Sequence, residues 1–137
     1  MQILKINIEE YENVIKHCQR ALPNEACGIM AGEITGDKGI VKKVYFTENS
    51  DVSPESYFME PDEQFNIFRN MRENNLELIS IFHSHPETPA RPSGKDIEMA
   101  FYPEAIYAII SFKNVEPVLK AYLIKDKKVR QIDVLLN

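Results

Sequence analysis

Two histidines one residue apart, followed at fixed distances by a serine and an aspartate, are the residues here most able to do chemistry. The segment runs His83-Ser84-His85-Pro86-Glu87-Thr88-Pro89-Ala90-Arg91-Pro92-Ser93-Gly94-Lys95-Asp96. Imidazole nitrogens and a carboxylate are donors that zinc accepts. Three of them leave the fourth position of a tetrahedral ion for water, as catalytic sites do. The chain has only three histidines, and two of them stand here. At this composition the four-residue pattern arises by chance in roughly one such chain in ten thousand. His83, His85 and Asp96 are therefore read as metal ligands.

The flanking residues account for the spacing. Leu76 to Phe82 reads as a buried strand running into the histidines. Side chains alternate along a strand, which predicts that Ile79, Ile81, His83 and His85 share one face. Pro86, Pro89 and Pro92 then make a stiff loop that cannot continue the strand. Ser93 precedes a helix-like run, Ile97 to Phe101, that ends before Pro103. Asp96 falls in its first turn, facing back toward the strand end. Helix capping alone explains a serine and an acid at these positions. It does not explain the paired histidines.

The other elements are read from periodicity. Met1 to Ile6 is a short strand. Asn7 and Glu10 form a capping-box pattern, and a helix follows with apolar positions Ile8, Tyr11, Val14, Ile15, Cys18, Ala21 and Leu22. Pro23 stops it. Glu25 to Glu33 and Gly39 to Thr47 are a strand pair joined by the turn Thr35 to Gly39. Pro61 opens a second helix whose apolar face includes Phe65, Phe68 and Met71. Ala105 to Phe112, Val118 to Ile124 and Val129 to Leu135 are three closing strands, with Asp126-Lys127-Lys128 as a turn. This order implies an α/β domain with a mixed sheet.

Composition sets outer limits. The 137 residues make one domain, 1–137, that is 44% hydrophobic and 27% charged, as soluble globular proteins are. A net charge of −5 argues against a general nucleic-acid binder. No apolar run reaches bilayer-spanning length, so no membrane partner is expected. The start, Met1 to Asn7, lacks a signal-peptide pattern, and a cytoplasmic location is the expectation. Cys18 and Cys27 are expected to stay reduced there. Cys18 falls on the apolar face of the first helix, and Cys27 reads as a small buried residue beside Glu25 on one strand face.

His83, His85, Ser93 and Asp96 match the JAMM (MPN+) metalloprotease motif in every spacing. The short length, the run Glu25-Ala26-Cys27-Gly28 and the stretch Ser53 to Pro61 resemble the small stand-alone prokaryotic members. The resemblance implies a cytidine-deaminase-like arrangement, a mixed sheet packed by helices with the metal at a strand end. It implies Zn²⁺ as cofactor on His83, His85 and Asp96. Glu25 matches the family's catalytic glutamate, the proton acceptor, and the Ser93 hydroxyl would serve as an oxyanion donor.

The implied reaction is hydrolysis of a peptide or isopeptide bond after the C-terminal Gly-Gly of a ubiquitin-like or sulfur-carrier protein. The segment Val44 to Met59 is a candidate edge on which such a tail could pair. Zinc deaminases use H-x-E followed by P-C-x-x-C; His85-Pro86-Glu87 fits the first part, but no cysteine follows. A non-catalytic MPN scaffold would normally have lost ligands, and all are present. A cell-wall or other peptidase usually adds a second catalytic domain, for which this length has no room. A DNA-repair relative would carry a helix-hairpin-helix segment before the motif, and none is seen. The sequence leaves the oligomeric state open.

Overall fold

A computed structural model describes Met1–Asn137. The order is β1 (Ile3–Ile6), α1 (Ile8–Ala21), β2 (Cys27–Thr35), β3 (Lys38–Thr47), α2 (Pro61–Glu73), β4 (Glu77–His85), α3 (Gly94–Glu98), β5 (Ile106–Ser111), β6 (Val118–Lys125) and β7 (Lys128–Leu136). Asn7 caps α1, its side chain accepting the Glu10 N–H at 2.8 Å, and the helix buries Val14 and Cys18. Pro61 stands in the first turn of α2, where a missing N–H costs nothing. That helix buries Ile67 and Met71. Phe65, expected on the apolar face, is 62% exposed. At about 100° per residue it lies some 200° from Ile67, on the opposite side.

The strands form one mixed sheet in the order β1-β3-β2-β4-β5-β6-β7, and parallel pairing of β1 with β7 closes it into a barrel. Each side of the sheet carries its own core. Met30, Phe82 and Ile110 pack with Val14 and Cys18 of α1. Ile29, Ile81 and Ile109 pack with Ile67 and Met71 of α2. β4 lies between antiparallel β2 and parallel β5, and a core covers each of its faces, so its apolar run is nearly continuous. No helix is long and apolar enough to cross a membrane.

Two local expectations are corrected. Ile79 does not share a face with Ile81. Met30 pairs with Ser80 and Ala31 with Leu78, so Ile79 is an extra residue bulged from the ladder. It turns into the α1-side core with Phe82, while Ile81 faces α2. As the alternation of the two histidines requires, the strand runs through His85, where β5 pairs alongside it as far as Ser111. The helix expected over Ile97 to Phe101 instead spans Gly94–Glu98, since the capping box at Ser93 fixes its start.

Candidate metal centre

His83 and His85 occupy the last turn of the pleat in β4, both buried. The proline loop turns the chain back, and α3 brings Asp96 to them. Ser93 Oγ accepts the Asp96 N–H at 3.1 Å while the Ser93 N–H donates to Asp96 Oδ2 at 2.9 Å. This reciprocal cap holds the aspartate rotamer. The Nε2 atoms of His83 and His85 stand 3.2 Å apart, and each lies 3.0 Å from Asp96 Oδ2. An ion about 2.0–2.1 Å from each donor has tetrahedral edges of about 3.3 Å. The triangle is close to that size.

Second contacts test whether these residues fit a cation. His85 Nδ1 lies 2.8 Å from the Pro89 carbonyl, an acceptor only, so Nδ1 carries the proton and a neutral ring presents a lone pair at Nε2. That lone pair faces the Asp96 carboxylate at 3.0 Å, a contact that repels unless positive charge lies between. His83 Nδ1 is buried without a partner. Burial lowers the His83 pKa despite Asp96. Burial also pulls His85 down, but its bonds to Asp96 and Pro89 outweigh this and raise it. Burial opposes ionisation of Asp96, yet the two imidazoles hold its carboxyl well below the usual carboxylate range. A neutral His83, an ionised Asp96 and a His85 Nε2 whose proton a cation would displace make a donor set suited to a divalent cation.

Glu25 precedes β2 rather than starting it. Cys27 pairs with His83, and the Ser84 N–H donates to the Ala26 carbonyl at 3.0 Å. Continuing that register sets Glu25 opposite His85, at the metal end of the sheet. Ser84 Oγ also accepts the Ala26 N–H at 2.8 Å, so β4 clamps the residue after Glu25. The Glu25 side chain is 3% exposed and its Oε1 has no partner. Burial, opposed in part by His85 and reinforced by Asp96, raises its carboxyl to about 8. Such a group is poised to exchange a proton near neutral pH. Glu87, the carboxylate nearest the ligands in sequence, is exposed. Cys27 does share the His83 face but is fully buried, its thiol raised to about 11 chiefly by burial. It is a packing residue beside the centre.

A cavity of about 160 Å³ opens beside Asp96, lined by Ser56, Tyr57, Phe58, Met59, Met99, Phe101 and Tyr102 among others. The Tyr57 ring stacks on His83, with centroids 4.6 Å apart and planes 22° from parallel. The candidate edge Val44 to Met59 thus divides. Val44 to Thr47 belong to β3, and Ser56 to Met59 form one wall of the cavity. Nothing in the sequence assigns a role to Tyr57 or singles out Asn49, whose side chain bonds to both neighbours of Tyr57 in that wall. A run of turn-forming residues was the available signal, and it marks a loop without saying what the loop touches.

The family model described as prokaryotic homologs of the JAB domain matches residues 9–124. A CysO-cysteine peptidase of Mycobacterium tuberculosis is 31% identical over 130 residues, covering 94% of this chain and 88% of that protein. A desampylase of Pyrococcus furiosus is 33% identical over 115 residues, covering 82% and 76%. A Desulfitobacterium hafniense protein solved in solution superposes with a TM-score of 0.90 at 41% identity, covering 98% of this chain and 92% of its own. Spanning most of the domain, with the His83, His85 and Asp96 triangle at a strand end, these likenesses place the chain in the prokaryotic JAB-domain family.

Proposed function

We propose that the chain is a zinc metalloprotease that hydrolyses a peptide or isopeptide bond after the Gly-Gly tail of a ubiquitin-like or sulfur-carrier protein. The observation that carries this reading is the buried triangle of His83, His85 and Asp96 beside a raised, unpartnered Glu25. Similarity to proteins named CysO-cysteine peptidase and desampylase supports the substrate class. Free, buried Cys18 and Cys27 suit a reducing cytoplasm.

His83 Nε2, His85 Nε2 and Asp96 would hold the zinc, which when bound supplies an acidified water and polarises a carbonyl. Glu25 takes the proton released at attack and passes it to the departing amine. The oxygen of Ser93 is occupied by the Asp96 N–H, so its own hydrogen is free to donate to the oxyanion that develops on the scissile carbonyl. An extended tail lies in the cavity beside Asp96. Neither the N–H nor the carbonyl of Tyr57 is bonded within the chain, and both are available to pair with the tail as an added strand does. Tight approach to Tyr57 and His83 restricts the two residues before the cut to glycine.

The test is cleavage of a ubiquitin-like carrier extended past its Gly-Gly by one amino acid, compared with an Ala-Ala version. Selective loss of the added residue from the Gly-Gly form is expected. Equal cleavage of both forms would refute the narrow channel. No cleavage of either would move the substrate to lysine-linked conjugates or unrelated peptides.

A further inference from the structure

Asn49 follows β3 and is half-buried, and its carboxamide is fully committed. Nδ2 donates to the Glu25 carbonyl at 3.0 Å and to the Ser56 carbonyl at 2.9 Å. Oδ1 accepts the N–H groups of Asp51 and Phe58, each at 3.0 Å. A primary amide has two donor hydrogens and two acceptor lone pairs, and all four are used. Ser56 and Phe58 flank Tyr57, the residue stacked on His83. The remaining long-range partner is the backbone of Glu25. One side chain therefore joins the cavity wall to the residue proposed to move the proton.

The base depends on that join. Glu25 Oε1 makes no bond that would fix it, so its position follows from its backbone. The Glu25 N–H donates to the Ser53 carbonyl at 2.8 Å, and its carbonyl accepts from Asn49. Both anchors lie in the segment Asn49 to Met59. The two neighbours of Glu25 are held from elsewhere, the Asn24 N–H by the Ala21 carbonyl at 2.9 Å and Ala26 by Ser84. Displacing the segment displaces the carboxylate. Proton transfer needs heavy atoms within about 2.6–3.2 Å, and a misplacement of about 1 Å costs on the order of a hundredfold.

We infer that Asn49 is a positioning residue for the reaction: its four hydrogen bonds hold the tail-binding wall and the backbone of Glu25 in one register. The inference rests on the reading of Glu25 as the proton acceptor. It predicts that wall and base are coupled, so that losing the carboxamide weakens tail binding and slows turnover together, with the metal triangle untouched.

The test is a double-mutant cycle on the zinc-loaded protein, using the Gly-Gly carrier extended by one residue as substrate. Asn49→Ala and Asn49→Asp are each made in the native and the Glu25→Gln backgrounds. Asp keeps the size and both acceptor bonds but turns an anionic oxygen toward the Glu25 and Ser56 carbonyls, so it breaks the same join by repulsion and remains informative if Ala fails to fold. Zinc content should be unchanged. In the native background kcat should fall about tenfold or more and KM should rise. With Glu25→Gln the further loss in kcat should shrink below about twofold while the rise in KM persists, because the group being positioned is gone. An equal kcat loss in both backgrounds would make Asn49 a general stabiliser and overturn the inference, as would wild-type kinetics in the native background. Normal turnover by Glu25→Gln alone would overturn the base assignment, and the positioning role with it.

Discussion

Glu25→Gln should make the metal-free protein more stable, most strongly above neutral pH. Burial raises the Glu25 carboxyl from its ordinary 4.5 to about 8. Between these values the folded chain holds a proton that the unfolded chain releases, so wild-type stability falls as pH rises through the window. Below it both states are protonated and the penalty vanishes; above it the penalty is complete. A tenfold change in protonation is worth about 1.4 kcal/mol, so the full gap has a ceiling of about 5 kcal/mol. Glutamine has nearly the same shape and no proton to lose. Its advantage should be about 3 kcal/mol larger at pH 8 than at pH 5. Titrations uncoupled from Glu25 are common to both proteins and cancel in the comparison, and the couplings to His85 and Asp96 are part of the Glu25 shift itself. Urea unfolding of both proteins under chelation at the two pH values measures the difference. A gap that stays constant with pH, or a glutamine variant less stable at pH 8, would refute a Glu25 carboxyl raised by burial.

Ser93→Ala should lower kcat by about 10²–10³, the usual worth of one oxyanion donor, whereas Ser93→Thr keeps both hydroxyl and cap and should retain most activity in steady-state assays. His85→Ala leaves two protein ligands, and elemental analysis should find zinc well below one ion per chain. Gly28→Ala should cost about 1–3 kcal/mol or more in thermal or denaturant unfolding. A Cβ there would stand 2.4 Å from the Phe82 ring and 2.5 Å from the Tyr45 carbonyl oxygen, and β2 would have to move from the strand that carries the histidines.

The convergence of these three donors was readable because they are local: His83, His85 and Asp96 lie within one strand end, one loop and one helical turn. The reciprocal cap of Ser93 and Asp96 follows from residue types three apart. Glu25 is a different matter. No local pattern ties it to the histidines, and resemblance alone singled it out; the β2–β4 register explains the proximity. The side assigned to Ile79 failed because alternation assumes an unbroken ladder, and one bulge reverses every side before it. Closure of the barrel through β1 and β7 depends on pairing residues at opposite ends of the chain, which periodicity does not encode. Asn49 stayed hidden for a related reason. Asparagine after a strand reads as a turn former, and its bond to the Glu25 carbonyl spans 24 positions.

Intact-mass spectrometry reads metal-dependent hydrolysis after Gly-Gly as a single mass loss. A ubiquitin-like carrier extended by one amino acid is incubated with the zinc-loaded protein, with the chelated protein and with zinc-loaded Glu25→Gln. Loss of that one residue's mass is expected with the zinc-loaded protein, none with the chelated protein, and a rate lower by roughly 10²–10⁴ with the variant. An unchanged mass in the first reaction, or equal loss in all three, would contradict metal-dependent hydrolysis.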